Sequence, residues 1–226
     1  MMLRAGAVVL VLMLCATPLF AQTGVRFGLK GGYSMSLQYG ITPVDNIYTV
    51  STHVRHAAAG GLVMQYPITE SFAIQQEFLY VMKGSRHDIG IPADGVNTFT
   101  LYDLNYFELP LVFRYIFLHL GEFKVYGSCG YALSILLNGR VALDGTVESD
   151  GALISFKYVD RIRGLDDFDY SLIYGLGTEF PWLGMDMFFE YRFTIGWNTL
   201  QMPTFPDEPT APLRNMNYVF ALGTYF

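Results

Sequence analysis

The sequence predicts an all-β fold, an eight-stranded antiparallel up-and-down β-barrel that spans a membrane. Hydrophobic residues make up 52% of the 226 residues and charged residues only 15%, whereas soluble domains usually carry about 25% charged residues. Past the N-terminus, no apolar run reaches the roughly 18 residues that a membrane helix needs. Because lipid tolerates no unpaired strand edge, a closed barrel is the remaining structure that can span the bilayer.

The first 21 residues have the features of a secretory signal peptide. Arg4 gives a basic start, an apolar core runs from Ala7 to Cys15, and Ala21 is a small residue at the end. A retained membrane anchor is the alternative, but this apolar core is short for a spanning helix. We therefore expect cleavage after Ala21, with residues 22–226 forming one outer-membrane barrel domain.

Apolar and polar residues alternate with a period of two in eight segments, as expected for strands that have one apolar face. The seventh segment is the clearest, because Met185, Phe189 and Trp197 share one parity while Glu190 lies on the other. The second and fifth segments are weaker because they are rich in Ala, Gly and Ser. The predicted strands cover residues 25–36, 54–66, 72–83, 107–115, 123–137, 168–180, 185–198 and 215–226.

The connections between these segments alternate between short and long. Short turns lie at 67–70, 118–122 and 181–184, and the long connections at 38–53, 84–102, 138–167 and 199–214. Short turns at one end and long loops at the other are typical of outer-membrane barrels, whose long loops are extracellular. We therefore expect an outer-membrane location with both termini on the periplasmic side.

Two of the long connections contain hairpin dipeptides, Asp94-Gly95 and Asp150-Gly151. These dipeptides favour tight turns between paired strands. Residues 98–102 and 153–158 beside them keep an extended character, so we expect strands that project beyond the membrane.

The apolar parity is predicted to face lipid rather than the barrel interior. A soluble barrel is the alternative, but a water-facing surface would carry more charge than the Gly-, Ala- and Ser-rich parity does. The apolar parity consists of large side chains, too many for the narrow interior of eight strands. Aromatic residues near both ends of this parity match the interfacial girdles of membrane barrels. They are Tyr80, Phe107, Tyr170 and Trp197 at the loop ends, and Tyr66, Phe72, Phe180 and Phe226 at the turn ends.

Charged residues on the polar parity fall near the middle of the barrel. They are Lys30, Glu77, Glu108, Arg114, Glu190 and Arg192. Buried charges have to be paired, so we predict a network of ion pairs that fills the lumen. We favour a structural plug as the role of this network, with a solute or proton path as the alternative. Pro110 lacks a backbone donor and is predicted to mark a bulge or bend.

A motif in the fourth segment reads Tyr106-Phe107-Glu108-Leu109-Pro110-Leu111. Together with Lys83-Gly84, the opening Gly28–Gly32 and the terminal Gly223-x-x-Phe226, it resembles the PorT-like outer-membrane β-barrel proteins of Bacteroidetes. That family usually has Leu where this chain has Phe107, and Tyr106, Glu108 and Pro110 match. The resemblance implies an outer-membrane location and a barrel fold. Family members have mixed roles, including support of protein secretion, so the resemblance implies no single activity.

No catalytic residue, cofactor or metal is predicted. His53, His56, His87 and Asp88 fall near the loops, but no Ser-His-Asp order or metal-ligand spacing singles them out. The favoured hypothesis is a non-enzymatic barrel whose extracellular loops serve interaction, with a narrow channel second and a rim hydrolase acting on lipid or protein third. The net charge of −6 argues against nucleic acid as a partner.

The expected partners are outer-membrane lipids and lipopolysaccharide, the barrel-insertion machinery, and a protein at the long loops. We expect the insertion machinery to recognise the C-terminal Phe226. The longest loop carries charges of both signs that suit a divalent ion, a lipopolysaccharide headgroup or a protein, with a merely solvated loop as the alternative. These residues are Asp144, Glu148, Asp150, Asp160, Asp166, Asp167, Arg140, Lys157, Arg161 and Arg163.

Overall fold

The protein is built from antiparallel strands. The computed structural model describes residues 24–40, 49–91, 96–149, 152–161, 168–201 and 212–226, so the predicted signal peptide lies outside the described residues. The strands are β1 (Arg26–Tyr39), β2 (Thr49–Pro67), β3 (Phe72–Ile91), β4 (Val96–Leu120), β5 (Phe123–Ser149), β6 (Ala152–Arg161), β7 (Phe168–Trp182), β8 (Met185–Gly196), β9 (Leu200–Gln201) and β10 (Pro212–Tyr225). Within these ranges, no helix has the length and apolar character needed to cross a membrane.

Eight of the strands close into a ring. The hydrogen-bonded order is β1-β2-β3-β4-β5-β7-β8-β10, and β10 returns to pair with β1 from Gly28↔Tyr225 to Tyr39↔Arg214. Every neighbouring pair in the ring is antiparallel. The prediction of an eight-stranded antiparallel up-and-down barrel is therefore confirmed. Of the other two strands, β6 adds to β5 and β9 adds to β10.

Successive side chains alternate between the lumen and the outer surface. On β1, Lys30 and Ser34 are buried, whereas Leu29 and Tyr33 are about half exposed. Tyr170 of β7 is 53% exposed, and the other aromatic and aliphatic residues on its parity are similarly open. This continuous apolar surface lies outside the ring, on the parity that the sequence predicts will meet lipid.

Small residues on the inner parity make room for the large side chains in the lumen. A Cβ atom on Gly223 would lie 2.2 Å from the ring of Phe188, and one on Gly177 would lie 2.3 Å from the ring of Tyr126. The interior of an eight-stranded barrel barely holds its own side chains. These two glycines of the polar parity therefore leave the space that the buried aromatic rings occupy.

The two ends of the barrel differ, and we call them the turn end and the loop end. At the turn end, Gly121 has a φ angle of +64°, and the turn between β7 and β8 consists of Leu183 and Gly184 with φ angles of +51° and +76°. Two-residue hairpins need positive φ angles because their twist must match that of the strands. These turns agree with the short connections that the sequence predicts.

At the loop end, five strands continue beyond the ring as a sheet. This loop-end sheet consists of residues 49–54, 85–91, 96–104, 139–149 and 152–161, paired in the order β2-β3-β4-β5-β6. The expectation of extended segments at 98–102 and 153–158 is confirmed. Strands β2, β3, β4 and β5 are longer than predicted, because their alternation continues past the apolar membrane stretch with more polar residues.

Pro110 does not produce the bulge that the sequence suggests. The register is continuous around it on both sides, and the shifts in β4 lie instead at Asn105/Tyr106 and Ile116/Leu118. The ladder to β3 lacks the pair that would join Pro110 to Glu77. Because proline has no N–H, the Gln76 side chain donates to the Glu77 carbonyl oxygen instead, at 3.0 Å. A side-chain hydrogen bond thus replaces the missing backbone donor.

Candidate functional site in the barrel lumen

Four charged side chains meet at the centre of the lumen, from Lys30 of β1, Glu77 of β3, and Glu190 and Arg192 of β8. Each side chain is at most 3% exposed. Lys30 Nζ lies 2.9 Å from Glu190 Oε1 and 3.3 Å from Glu77 Oε1. Arg192 donates to both carboxylate oxygens of Glu77 at 2.6 and 2.7 Å, and its Nε donates to Glu190 at 2.7 Å. The two positive and two negative charges balance, as burial requires.

Glycines on a neighbouring strand leave space beside this central cluster. Glu190 and Arg192 are two residues apart on β8, so both point inward. Their cross-strand partners on β7 are Gly177 and Gly175. A Cβ atom on Gly177 would lie 2.3 Å from the Tyr126 ring, and one on Gly175 would lie 2.5 Å from Ser128 Oγ, so the two glycines leave room for the β5 side chains beside the cluster.

A second cluster lies toward the turn end and is centred on Arg114. Its Nη1 lies 2.9 Å from Glu179 Oε1 and 3.1 Å from Gln75 Oε1, and also bonds to the Tyr225 hydroxyl. The guanidinium carbon lies 3.5 Å from the centre of the Tyr126 ring. Stacking on an aromatic ring and pairing with a carboxylate both suit a buried guanidinium.

A third cluster lies toward the loop end and is centred on Lys83. Its Nζ lies 2.7 Å from Glu108 Oε2 and 3.8 Å from Asp169 Oδ2. Ser134 donates to Glu108 at 3.0 Å, and the Lys83 ammonium lies 5.0 Å from the centre of the Tyr106 ring. The motif residues Tyr106 and Glu108 therefore both contact the same buried lysine, Lys83.

A chain of hydrogen bonds leads from Asp169 into the loop-end sheet. Asn215 Nδ2 donates to Asp169 Oδ2 at 3.0 Å, and Gln38 Nε2 donates to Asn215 Oδ1 at 3.2 Å. Ser85 Oγ donates to Gln38 Oε1 at 2.8 Å. Asp169 Oδ2 accepts from Asn215, and the oxygen of each amide then accepts from the next donor, which sets the direction of every hydrogen bond along this series.

His87 lies at the end of this series of hydrogen bonds, as a neutral and buried side chain. Its Nε2 lies 2.6 Å from Ser85 Oγ and its Nδ1 lies 3.0 Å from Thr52 Oγ1. The Ser85 proton is already donated to Gln38, so Nε2 donates to Ser85 and Nδ1 accepts from Thr52. Burial lowers the pKa of His87 to about 4, and the nearby Asp88 carboxylate offsets only part of this effect.

This arrangement is unsuited to catalysis. A nucleophilic serine gives its proton to a histidine, whereas here the histidine donates to Ser85, which is fully buried. The other histidines lie outside the lumen. His53 Nε2 lies 3.0 Å from Asp88 Oδ2 on the exposed surface, and His56 contacts the Tyr33 hydroxyl. In the part of the chain that the structure describes, no group of three or more His, Cys, Asp or Glu residues could hold a metal ion.

Apolar layers and ion pairs together fill the lumen along its length. The buried apolar clusters are Tyr102, Leu104, Tyr106 and Leu213; Ala59, Leu79, Val81, Val219 and Ala221; Val63, Phe188 and Tyr225; and Val112, Ala132 and Ile173. Between the central and loop-end clusters, an internal cavity of about 10 Å³ borders Lys30, Glu108 and Arg192. This volume holds about one water molecule, so side chains leave little free space between these two clusters.

The six lumen charges inferred from sequence fall into three clusters, and Gln75 joins two of them by accepting from Arg114 and donating to Glu77. Lys30, Glu77, Glu190 and Arg192 lie together, whereas Glu108 belongs to the loop-end cluster and Arg114 to the turn-end cluster. The partners of Glu108 and Arg114 were not among the predicted lumen charges, although all of them lie on the inward parity that the alternation predicts. They are Lys83, Asp169, Glu179 and Arg26, the last 3.2 Å from Glu179.

The proposed loop patch is described only in part. Arg140 and Arg161 are exposed cross-strand partners on β5 and β6. The Asp160 carboxylate accepts from the Tyr158 hydroxyl at 2.8 Å. Asp150, Arg163, Asp166 and Asp167 lie outside the described residues.

The closed ring, its apolar outer surface and its ion-paired interior define a β-barrel membrane protein. Residues 20–200 match the family described as outer membrane protein beta-barrel domain. The chain therefore belongs to this family, and its location is the outer membrane. No curated protein matches the sequence.

Solved structures of outer-membrane proteins are similar over nearly the whole chain. OprG from Pseudomonas aeruginosa is 11% identical with a TM-score of 0.45, covering 90% of this chain and 97% of that chain. Neisserial surface protein A is 11% identical with a TM-score of 0.41, covering 90% and 99%. The protease OmpT from Escherichia coli is 8% identical with a TM-score of 0.43, covering 89% and 96%.

Replacing Arg192 by methionine is expected to destabilise the barrel by about 3–5 kcal/mol, because Glu77 and Glu190 would share only Lys30 in a dry interior. Urea unfolding in detergent micelles measures this loss. The matched control is Arg86→Met, which breaks an exposed pair with Asp88 and should cost at most about 1 kcal/mol. Equal losses in the two variants would contradict a central role for the lumen cluster.

Acidification is expected to loosen the loop-end sheet through His87. Unfolded histidine titrates near 6.5 and the folded residue near 4, so only the unfolded state takes up a proton between these values. Stability is therefore complete above pH about 6.5 and falls, by on the order of 2 kcal/mol, as the pH drops to about 4. Hydrogen exchange of β3 amides, corrected for intrinsic rates, reports the change. The slope should shrink in His87→Gln and persist in His53→Gln; an unchanged slope in His87→Gln would argue against this assignment.

Proposed function

We propose that this chain is a non-enzymatic barrel of the PorT-like type, whose loop-end sheet binds a protein partner in support of secretion or surface assembly. The motif residues support the PorT-like assignment, since Tyr106 and Glu108 hold Lys83 and Pro110 shapes the adjoining ladder. The filled lumen favours a structural interior over a solute channel. The donor direction between His87 and Ser85 favours a non-enzymatic role.

In the proposed orientation, the loop end is extracellular and both termini are periplasmic. The contrast between two-residue turns at one end and a projecting sheet at the other supports this choice, since outer-membrane barrels keep their turns on the periplasmic side. The loop-end sheet would then stand above the outer leaflet, where a partner can reach it.

The observation that carries the proposal is the outer edge of β6. Within the described residues, β6 pairs with β5 on one side and has no strand on the other. Large apolar side chains are exposed on it, with Leu153 74% exposed and Val159 58% exposed, while its charged residues Lys157, Asp160 and Arg161 all lie in its second half. Edge strands normally carry charges or proline to prevent pairing with other chains. An apolar open edge instead suits the addition of an extended segment from a partner protein.

Introducing lysine at two positions of this edge tests the proposal. The variant Leu153→Lys/Val159→Lys is expected to lose a protein that wild type retains in affinity capture from intact outer membranes, read by quantitative mass spectrometry. The control Ile68→Lys adds charge to an exposed apolar residue at the turn end and should retain that protein. Both variants should keep the heat-modifiable migration of a folded barrel. Capture profiles that are identical for wild type and the double variant would refute a partner at β6.

We also propose that the barrel-insertion machinery recognises Phe226. Its side chain is 76% exposed, while its backbone N–H is bonded to the Phe27 carbonyl at 2.8 Å, so the ring is presented from a fixed position. Deletion of Phe226 is expected to lower the amount of folded protein in the outer membrane, and Phe226→Tyr should preserve it. Normal membrane yield after the deletion would be inconsistent with this role.

A further inference from the structure

Arg140 and Arg161 form an unusual pair on the outer face of the barrel. They are direct cross-strand partners on β5 and β6, and both side chains are exposed. Neither guanidinium has an ion pair or side-chain hydrogen bond within the described residues. Like charges that lie directly opposite each other destabilise a sheet. Among the residues that the structure describes, these two positive charges therefore lie side by side with no carboxylate paired to either guanidinium.

The acidic residues nearby are engaged elsewhere. Asp103 is the partner of Arg140 on β4, but its carboxylate binds Arg55 at 2.7 Å. Asp160 lies on the opposite parity of β6, and its carboxylate accepts from the Tyr158 hydroxyl at 2.8 Å and from the backbone N–H of Arg161 at 2.7 Å, not from the Arg161 guanidinium. The site at Arg140 and Arg161 is therefore complementary to an external anion.

The pair also lies close to the apolar membrane surface. Leu137 of β5 is 57% exposed and precedes Arg140 by three residues, about 10 Å along a strand. Strands of membrane barrels tilt by about 35–45°, so the height difference is about 7–8 Å. The headgroup zone of each leaflet is about 5–8 Å thick. With Leu137 taken as the edge of the apolar surface, this height difference places the two guanidinium groups at the level of lipid headgroups.

We propose that Arg140 and Arg161 together bind a phosphate group of lipopolysaccharide in the outer leaflet. Guanidinium groups match phosphate with paired N–H donors, and a phosphate between the two strands would relieve their repulsion. The lipid assignment rests on the proposed orientation, in which the loop end is extracellular. It does not require the protein partner proposed for the free edge of β6.

The test compares Arg140→Gln/Arg161→Gln with wild type in lipid-free detergent micelles, to which purified lipopolysaccharide is added. The double variant is expected to bind at least about tenfold more weakly. The control is Arg86→Gln, which removes an outer-face arginine that Asp88 already pairs at 2.8 Å, and its affinity should match wild type. Lipopolysaccharide whose lipid phosphates have been removed should bind wild type as weakly as the intact lipid binds the double variant.

Thermal unfolding separates lost binding from lost structure. Without lipid, the double variant should unfold at the same temperature as wild type or higher, since a repulsion has been removed. Added lipopolysaccharide should raise the midpoint of wild type but not of the double variant.

Equal lipid affinity in wild type and the double variant, equal weakening in Arg86→Gln, or tight binding of the dephosphorylated lipid would each overturn the proposal. Competition by inorganic pyrophosphate as strong as by the lipid would overturn the lipid assignment, because it would identify a site for free phosphate. Binding in micelles requires neither the proposed orientation nor a partner at the free edge of β6, so a failed partner capture does not affect this result.

Discussion

The pairing of charges in a lumen too narrow for bulk water is the constraint on which the rest of this structure depends. Eight strands enclose little more than their own side chains, and an unpaired charge there is costly. Glu77 meets this constraint by binding both Lys30 and Arg192, which joins β1, β3 and β8 across the barrel. The glycines opposite Arg192 and Glu190 follow from the same narrow lumen, since a larger residue at either position would collide with Ser128 or Tyr126.

Alternation in the sequence predicted the strands and the two faces, because parity is a local property of an extended chain. It could not predict which lumen charges meet, because that depends on the stagger between strands. One part of the arrangement of lumen charges could still be predicted from the sequence. Glu108 and Arg114 are six residues apart on β4, or about 20 Å along a strand, so one compact cluster could not contain both. Pairing Glu108 with Lys83 required the register of β3 against β4, which alternation alone does not supply.

The loop-end sheet was foreseen only where a hairpin dipeptide marked it. Its strands lose the strong contrast between apolar and polar faces, since both faces lie outside lipid. The free edge of β6 was not predictable, because it arises where β5 changes neighbours. Up to Ile135, β5 pairs with β7, whereas from Arg140 onward it pairs with β6. That change of partner lifts β6 out of the ring and leaves one of its sides without a strand.

Because side chains fill the lumen, the surfaces available for binding lie on the outside of the barrel. The two proposed sites there are physically connected. Arg161 ends β6, so a lipid phosphate held by Arg161 and Arg140 would fix the base of the same strand whose free edge is proposed to receive a partner. A strand fixed at its base loses less conformational entropy when another strand adds to it. Lipid at the arginine pair would therefore favour partner binding without touching the partner, and by linkage the bound partner would tighten the lipid site.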